Sequence, residues 1–132
     1  MLDTHAAMWA ADDRLKPEVT RTVKAAAARN DLLLSPITAW ELGMLVRRGR
    51  LALAMSVEEY VRVLFGQPGV VVAALTPSIA LSAATLSAKS VTDPADRVLI
   101  ATAAAYGAQL VTHDRKVHEY AKSTRYLRCI PC

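Results

Sequence analysis

A chain of 132 residues is long enough for one domain with a real core and too short for two. Its 53% hydrophobic content and five glycines exclude a disordered or collagen-like chain, and its alanine-rich segments favour helix. Sixteen Lys and Arg against twelve Asp and Glu give a net charge of +4 and a pI near 9.3, which is compatible with a nucleic-acid partner without requiring one.

In chain order, Met1, Leu2 and Asp3 read as the end of a short first strand. A short helix over residues 4–11 follows and is expected to carry Met8 and Trp9 inward. Residues 17–30 form a second helix, alanine-rich on one side. The apolar run 32–34 suits a buried strand, and Ser35-Pro36 is a cap-then-proline start for a helix over 36–48 ended by Gly49. Ser56 with Glu59 forms a capping box that opens a helix to residue 65. A turn over 66–69 leads into a third strand over 70–75, and Thr76-Pro77 starts the next helix, to residue 86. Asp93-Pro94 repeats the cap-then-proline signal for a helix that Gly107 ends. An interior strand over 108–112, a helix over 114–122 and a last strand over 126–130 complete the chain. Strands alternating with helices predict a single three-layer α/β/α domain over residues 1–132, with a mostly parallel sheet of about five strands.

No basic stretch precedes the apolar N-terminus, and Asp3, Asp12 and Asp13 interrupt it, which argues against a signal peptide. Residues 63–88 lack charge, but Gly66, Pro68, Gly69 and Pro77 break them into pieces shorter than the roughly 20 apolar residues of a spanning helix. The chain is therefore expected to be soluble and cytoplasmic. Cys129 and Cys132 have no second pair at zinc spacing and read as two reduced thiols.

Four acids draw the chemical reading. Asp3, Asp96 and Asp114 fall at strand-to-helix junctions, and Glu41 lies in the otherwise uncharged stretch 37–42, about one turn into its helix. Each alone has an ordinary explanation: a terminal residue, a first-turn acid favoured by the helix dipole, an N-cap, a solvent-facing side chain. Together they can converge at the carboxyl edge of the sheet, where ligands bind in open α/β folds and where like charges oppose folding. A hard divalent cation resolves that repulsion, and oxygen-only donors favour magnesium, or manganese in its place, over zinc. Such a centre suits phosphodiester hydrolysis.

The same stretches resemble a known family. Residues 2–6 (LDTHA), Ser35-x-x-Thr-Ala-Trp-Glu-Leu with Arg47-Arg-Gly-Arg-Leu51, residues 93–97 (DPADR) running into 99–103 (LIATA), and residues 110–115 (LVTHDR) look like a PIN domain. More narrowly they look like the VapC-type toxin ribonucleases of toxin–antitoxin pairs. The resemblance covers almost the whole chain, in order. It implies Asp3, Glu41, Asp96 and Asp114 as catalytic and metal-binding acids, with Thr4, and Thr112 as an alternative, as the small hydroxyl near them. It implies a magnesium-dependent endoribonuclease, homodimerisation, and inhibition by a small antitoxin that also binds promoter DNA. A housekeeping RNA-processing nuclease without an antitoxin, and a non-catalytic RNA- or protein-binding module on the same fold, are the alternatives.

Around these acids, Asp93 is expected to act as a helix N-cap. Arg47, Arg48 and Arg50 are candidate contacts to RNA phosphates or the antitoxin, with a solvated helix end as the ordinary reading. Arg97 is expected to meet a carboxylate or an RNA phosphate. His5 and His113 read as structural or incidental neighbours that can hydrogen-bond a carboxylate, with His113 at best a substrate contact, and Trp9 and Trp40 read as core rather than as base-stacking platforms.

Overall fold

The helices begin where local chemistry tells them to. In this computed structural model, which describes residues 1–87 and 91–132, the helices are α1 (Thr4–Ala11), α2 (Pro17–Ala28), α3 (Pro36–Arg47), α4 (Val57–Phe65), α5 (Pro77–Thr85), α6 (Pro94–Ala105) and α7 (Arg115–Thr124). The side chains of Asp3, Ser35, Ser56, Thr76, Asp93 and Asp114 each accept from a backbone N–H one turn inside the helix they precede. Proline supplies the first residue of α2, α3, α5 and α6, where its missing N–H costs nothing.

Among the described residues four short parallel strands carry the sheet: β1 (Leu32–Leu34), β2 (Val70–Val72), β3 (Leu110–Thr112) and β4 (Cys129–Pro131). β1 pairs with β2 from Leu32↔Val70, and β3 with β4 from Leu110↔Cys129. Leu2 joins the two pairs. Its N–H donates to the Leu33 carbonyl at 3.1 Å, and it bridges Val111 in parallel, with Val111 N–H on the Met1 carbonyl at 2.9 Å. The spatial order is β2, β1, Leu2, β3, β4. The expected five-stranded parallel arrangement is present, with its central member reduced to a single bridge.

Alternation along these strands separates two cores. Leu2, Leu32, Leu34 and Val111 pack with Ala6, Val19, Val23, Leu42 and Leu64 of α1 to α4. Met1 and Leu110 pack on the other face with Leu99, Ile100, Val117 and Tyr120 of α6 and α7, and Leu33 lies against this cluster. α5 covers α6 through Ile79, Ala83 and Ala101. Helices therefore cover both faces of the sheet. Gly69 fits the turn before β2 because its φ of +80° is left-handed and because a Cβ there would fall on the Ala27 carbonyl at the end of α2. Among the described residues no helix is long and apolar enough to cross a membrane.

Trp40 departs from expectation. It is 54% exposed, not core, because α3 turns Thr38 and Leu42 inward and leaves Trp40 on the outer side. Met8 and Trp9 are half-buried, packed against the edge of a core rather than within it.

Candidate active site

Parallel strands deliver their carboxyl ends to one edge, and the acids follow from that. Asp3 comes directly after Leu2, and its N–H is fixed to the Val111 carbonyl at 3.0 Å. Asp114 comes two residues after the end of β3, its N–H held by the Thr112 hydroxyl at 3.0 Å. α3 leaves the end of β1 through Ser35 and carries Glu41 within its second turn. Asp96 lies in the first turn of α6, beside its cap Asp93.

Two of these acids do a structural job with one oxygen. Asp3, 6% exposed, accepts the Ala6 N–H on Oδ1 at 2.6 Å. Asp114 accepts Lys116 N–H at 2.6 Å and Val117 N–H at 3.2 Å, both on Oδ1. Capping and ligation are therefore compatible: the bonds through Oδ1 orient each carboxylate and leave Oδ2 for another partner. Glu41 is fixed differently, by a short hydrogen bond from the buried Thr4 hydroxyl to Oε2. Thr38 stands 3.5 Å behind Thr4. Thr112 holds the Asp114 backbone, and its own carbonyl meets His118 Nε2 at 2.9 Å.

Electrostatics links the acids into one group. Burial pushes the Asp96 carboxyl up to about 7, reinforced by the negative charges of Asp93, Asp114, Glu41 and Asp3. Glu41 is also raised, first by burial and then by Asp93 and Asp3, against the lowering effect of the Thr4 hydrogen bond. The expected acids thus lie within one another's fields. Asp93 does more than its expected capping: its Oδ1 accepts the Ala95 N–H at 2.8 Å, while its charge acts on both Asp96 and Glu41.

Neutralising cations are placed elsewhere. Among the described residues the ion pairs are Arg29–Asp31, Arg62–Glu59 and Arg115–Glu119, all exposed and none involving these acids. Arg97, expected at a carboxylate or a phosphate, instead donates to the main-chain carbonyls of Ala83, Ala84, Leu86 and Val91, at 2.6 to 3.2 Å. Its planar fork matches those carbonyls and ties α6 to the end of α5 and to Leu86 and Val91. Arg47, Arg48 and Arg50 are exposed at the end of α3. Arg47 lies six residues beyond Glu41, roughly 9 Å along the helix axis.

An oxygen-only donor set with mutual repulsion and no ion-pair partner among the described residues fits a hard divalent cation. As they lie, no three of these groups close on a common point among the described residues. Cys129 and Cys132 are free thiols pushed up to about 11, chiefly by burial and also by Asp3, so they are protonated at neutral pH.

Sequence reading missed the surroundings of His113. Its ring meets Trp9 and His5 at the same edge. The spacing of His5 and Trp9, four residues apart on α1, was visible in the sequence; the approach of His113 depends on the pairing of Leu2 with Val111.

An edge lined by acids, on a parallel sheet with helices on both faces, defines the class as an α/β protein with a carboxylate-rich sheet edge. The PIN domain family matches residues 1–123, and the chain belongs to it. The chain is similar to "Ribonuclease VapC22" of Mycobacterium tuberculosis (strain ATCC 25618 / H37Rv), with 33% identity over 122 residues that cover 91% of this chain and 90% of that protein.

Proposed function

We propose that this protein is a magnesium-dependent endoribonuclease, with manganese as a substitute, and the toxin of a toxin–antitoxin pair. The observation that carries the reading is the carboxyl of Asp96, raised to about 7 amid four further acids that have no cationic partner among the described residues. Likeness to a VapC ribonuclease over nine-tenths of both chains supports RNA as the substrate and a small antitoxin as the partner.

Asp3, Glu41, Asp96 and Asp114 would hold the ion, through Oδ2 where Oδ1 is spent on a cap. A bound divalent cation supplies a lowered water pKa and neutralises charge developing on the phosphodiester. The chain's own contribution is positioning. Thr4 fixes the Glu41 carboxylate, Thr112 fixes the Asp114 backbone, and Asp93 sets the start of α6 and so the direction of Asp96. Arg47, Arg48 and Arg50 extend from the same helix as Glu41 and suit contact with flanking phosphates or with an acidic antitoxin segment. Homodimerisation is supported by an apolar face at Trp40, Ile37, Leu75 and Val98, which sedimentation would test.

The reading is tested by mapping RNA ends in cells expressing wild type or Asp96→Asn. Hydrolysis by water leaves a 5′-phosphate and a 3′-hydroxyl and does not need the substrate 2′-OH. New 5′-phosphate ends present with wild type and absent with Asp96→Asn are expected. Products carrying a 2′,3′-cyclic phosphate would rule the mechanism out.

A further inference from the structure

Three rings stand together in the exposed surface beside the acids. His113 lies edge-on to His5, centroids 4.9 Å apart at 74°, and tilts against Trp9 at 4.8 Å and 53°. His5 and Trp9 are 6.2 Å apart. The Arg14 guanidinium lies 6.0 Å from the centre of the Trp9 ring. His5, His113 and Arg14 are exposed and Trp9 is half-buried.

The core does not call for this cluster. Ala6 and Ala7, fully buried, already seal α1 against the sheet; Trp9 packs by one side on the edge of that core, and His5 and His113 stay exposed. Their position is set by the same elements that set the acids. His5 follows Asp3 by two residues on α1, and His113 immediately precedes Asp114 after β3. The rings meet at 53° to 74° and share no single plane, but an open ring face with an adjacent cation suits a nucleobase and its phosphate, because every base has a stacking face and Arg14 can take the charge. A base lies one ribose away from the phosphodiester it flanks, and His5 and His113 lie within two residues of Asp3 and Asp114, so the rings share the elements that carry the acids. An apolar peptide would want aliphatic surface, and this cluster offers almost none.

We propose that His5, Trp9 and His113 form a stacking platform that holds an unpaired nucleobase flanking the bond to be cut, with Arg14 at that nucleotide's phosphate. The proposal rests on the nuclease reading and adds to it a subsite. Stacking is tolerant of base identity, so the platform contributes affinity and register more than sequence choice.

Trp9 reports on its own occupancy. The chain has two tryptophans, and Trp40→Phe, at an exposed position, leaves Trp9 as the remaining one. Its emission is followed while a short single-stranded oligoribonucleotide is added in EDTA, with binding read independently by anisotropy of the labelled RNA. The same titration uses an analogue series with a single abasic residue at successive positions. Saturable quenching is expected, and the abasic residue at one position should weaken binding by roughly 5- to 100-fold. His113→Ala and His5→Ala should each weaken the intact oligonucleotide and narrow its advantage over that analogue, with circular dichroism unchanged. RNA that saturates by anisotropy without altering Trp9 emission overturns the platform, as does equal affinity for every abasic analogue. Quenching by an antitoxin peptide and not by RNA overturns it too, assigning the rings to a protein partner. Manganese-dependent cleavage is scored separately on the same preparations. Cleavage without a Trp9 response sinks the platform alone, whereas a Trp9 response without cleavage shows the rings stacking a base and sinks the nuclease reading, and with it the placement beside a bond to be cut.

Discussion

The Thr4 hydroxyl donates to the Glu41 carboxylate across 37 residues of sequence, joining the residue after the strand-end acid Asp3 to an acid in the middle of α3. Thr4 is 2% exposed, so its hydroxyl has no water to fall back on, and its bond works against the burial that raises the Glu41 carboxyl. Thr4→Val preserves the shape and removes the donor. Manganese affinity measured by calorimetry should fall by roughly tenfold, the scale of one hydrogen bond to a charged group. Thr4→Ser should restore most of it, and a Thr4→Val protein that binds manganese like wild type would detach Thr4 from the site.

Stability should depend on pH through Asp96. Its folded pKa is about 7 against an ordinary value of 3.8. Between those values the native state holds a proton that the unfolded state has lost, so stability declines as pH rises from about 4 to about 7. The penalty is complete above that range. Asp96 is only half-buried, and solvent screening brings the effect to the order of 1 kcal/mol. In EDTA, Asp96→Asn should therefore match wild type near pH 4 and melt above it at pH 8. A difference between the two that is constant across that range would contradict the assignment of the raised group.

Asp93 and Asp96 should separate into a structural and a chemical acid. Asp93→Ala removes the bond to Ala95 N–H and should cost about 1 kcal/mol, whereas Asp93→Ser keeps a cap and should keep both stability and cleavage. Because the Asp93 charge also raises Asp96, Asp93→Ser should move the pH-dependent loss of stability to lower pH. Loss of cleavage in Asp93→Ser alongside an active Asp96→Asn would reverse the assignment.

Arg97 belongs to the fold. Replacing it by Lys keeps the charge and loses the planar fork that reaches the carbonyls of Ala83, Ala84, Leu86 and Val91. Arg97→Lys should lower stability by about 1 to 3 kcal/mol in a denaturant titration, the cost of leaving such acceptors unmet. The salt dependence of RNA binding should stay as in wild type. A lower salt slope with unchanged stability would place Arg97 on a phosphate instead.

What could be read before the fold was known was local. Ser35, Ser56, Thr76, Asp93 and Asp114 announce helix starts by chemistry that spans three or four residues, and the starts fall where their side chains cap; the cap supplied by Asp3, read only as a strand end, was not foreseen. Strand lengths were less legible. The run 108–112 narrows to Leu110–Thr112 and the run 70–75 to Val70–Val72, because pairing ends where the neighbouring strand ends. Gathering Asp3, Glu41, Asp96 and Asp114 into one field followed from strand alternation, since parallel strands send every junction to one edge. Trp40 was misplaced because an apolar helix does not reveal which of its sides the sheet takes. The partners of Arg97 and His113 come from other elements, and nothing within a few residues of either one specifies them.

The central claim is that these carboxylates, charged with a divalent cation, cut RNA. It is met most directly by incubating purified protein with a labelled single-stranded RNA in manganese, in EDTA, and in manganese with Asp96→Asn. Cleavage in the first reaction and none in the other two is the predicted result. Undiminished cleavage by Asp96→Asn, or cleavage by wild type in EDTA, would contradict it.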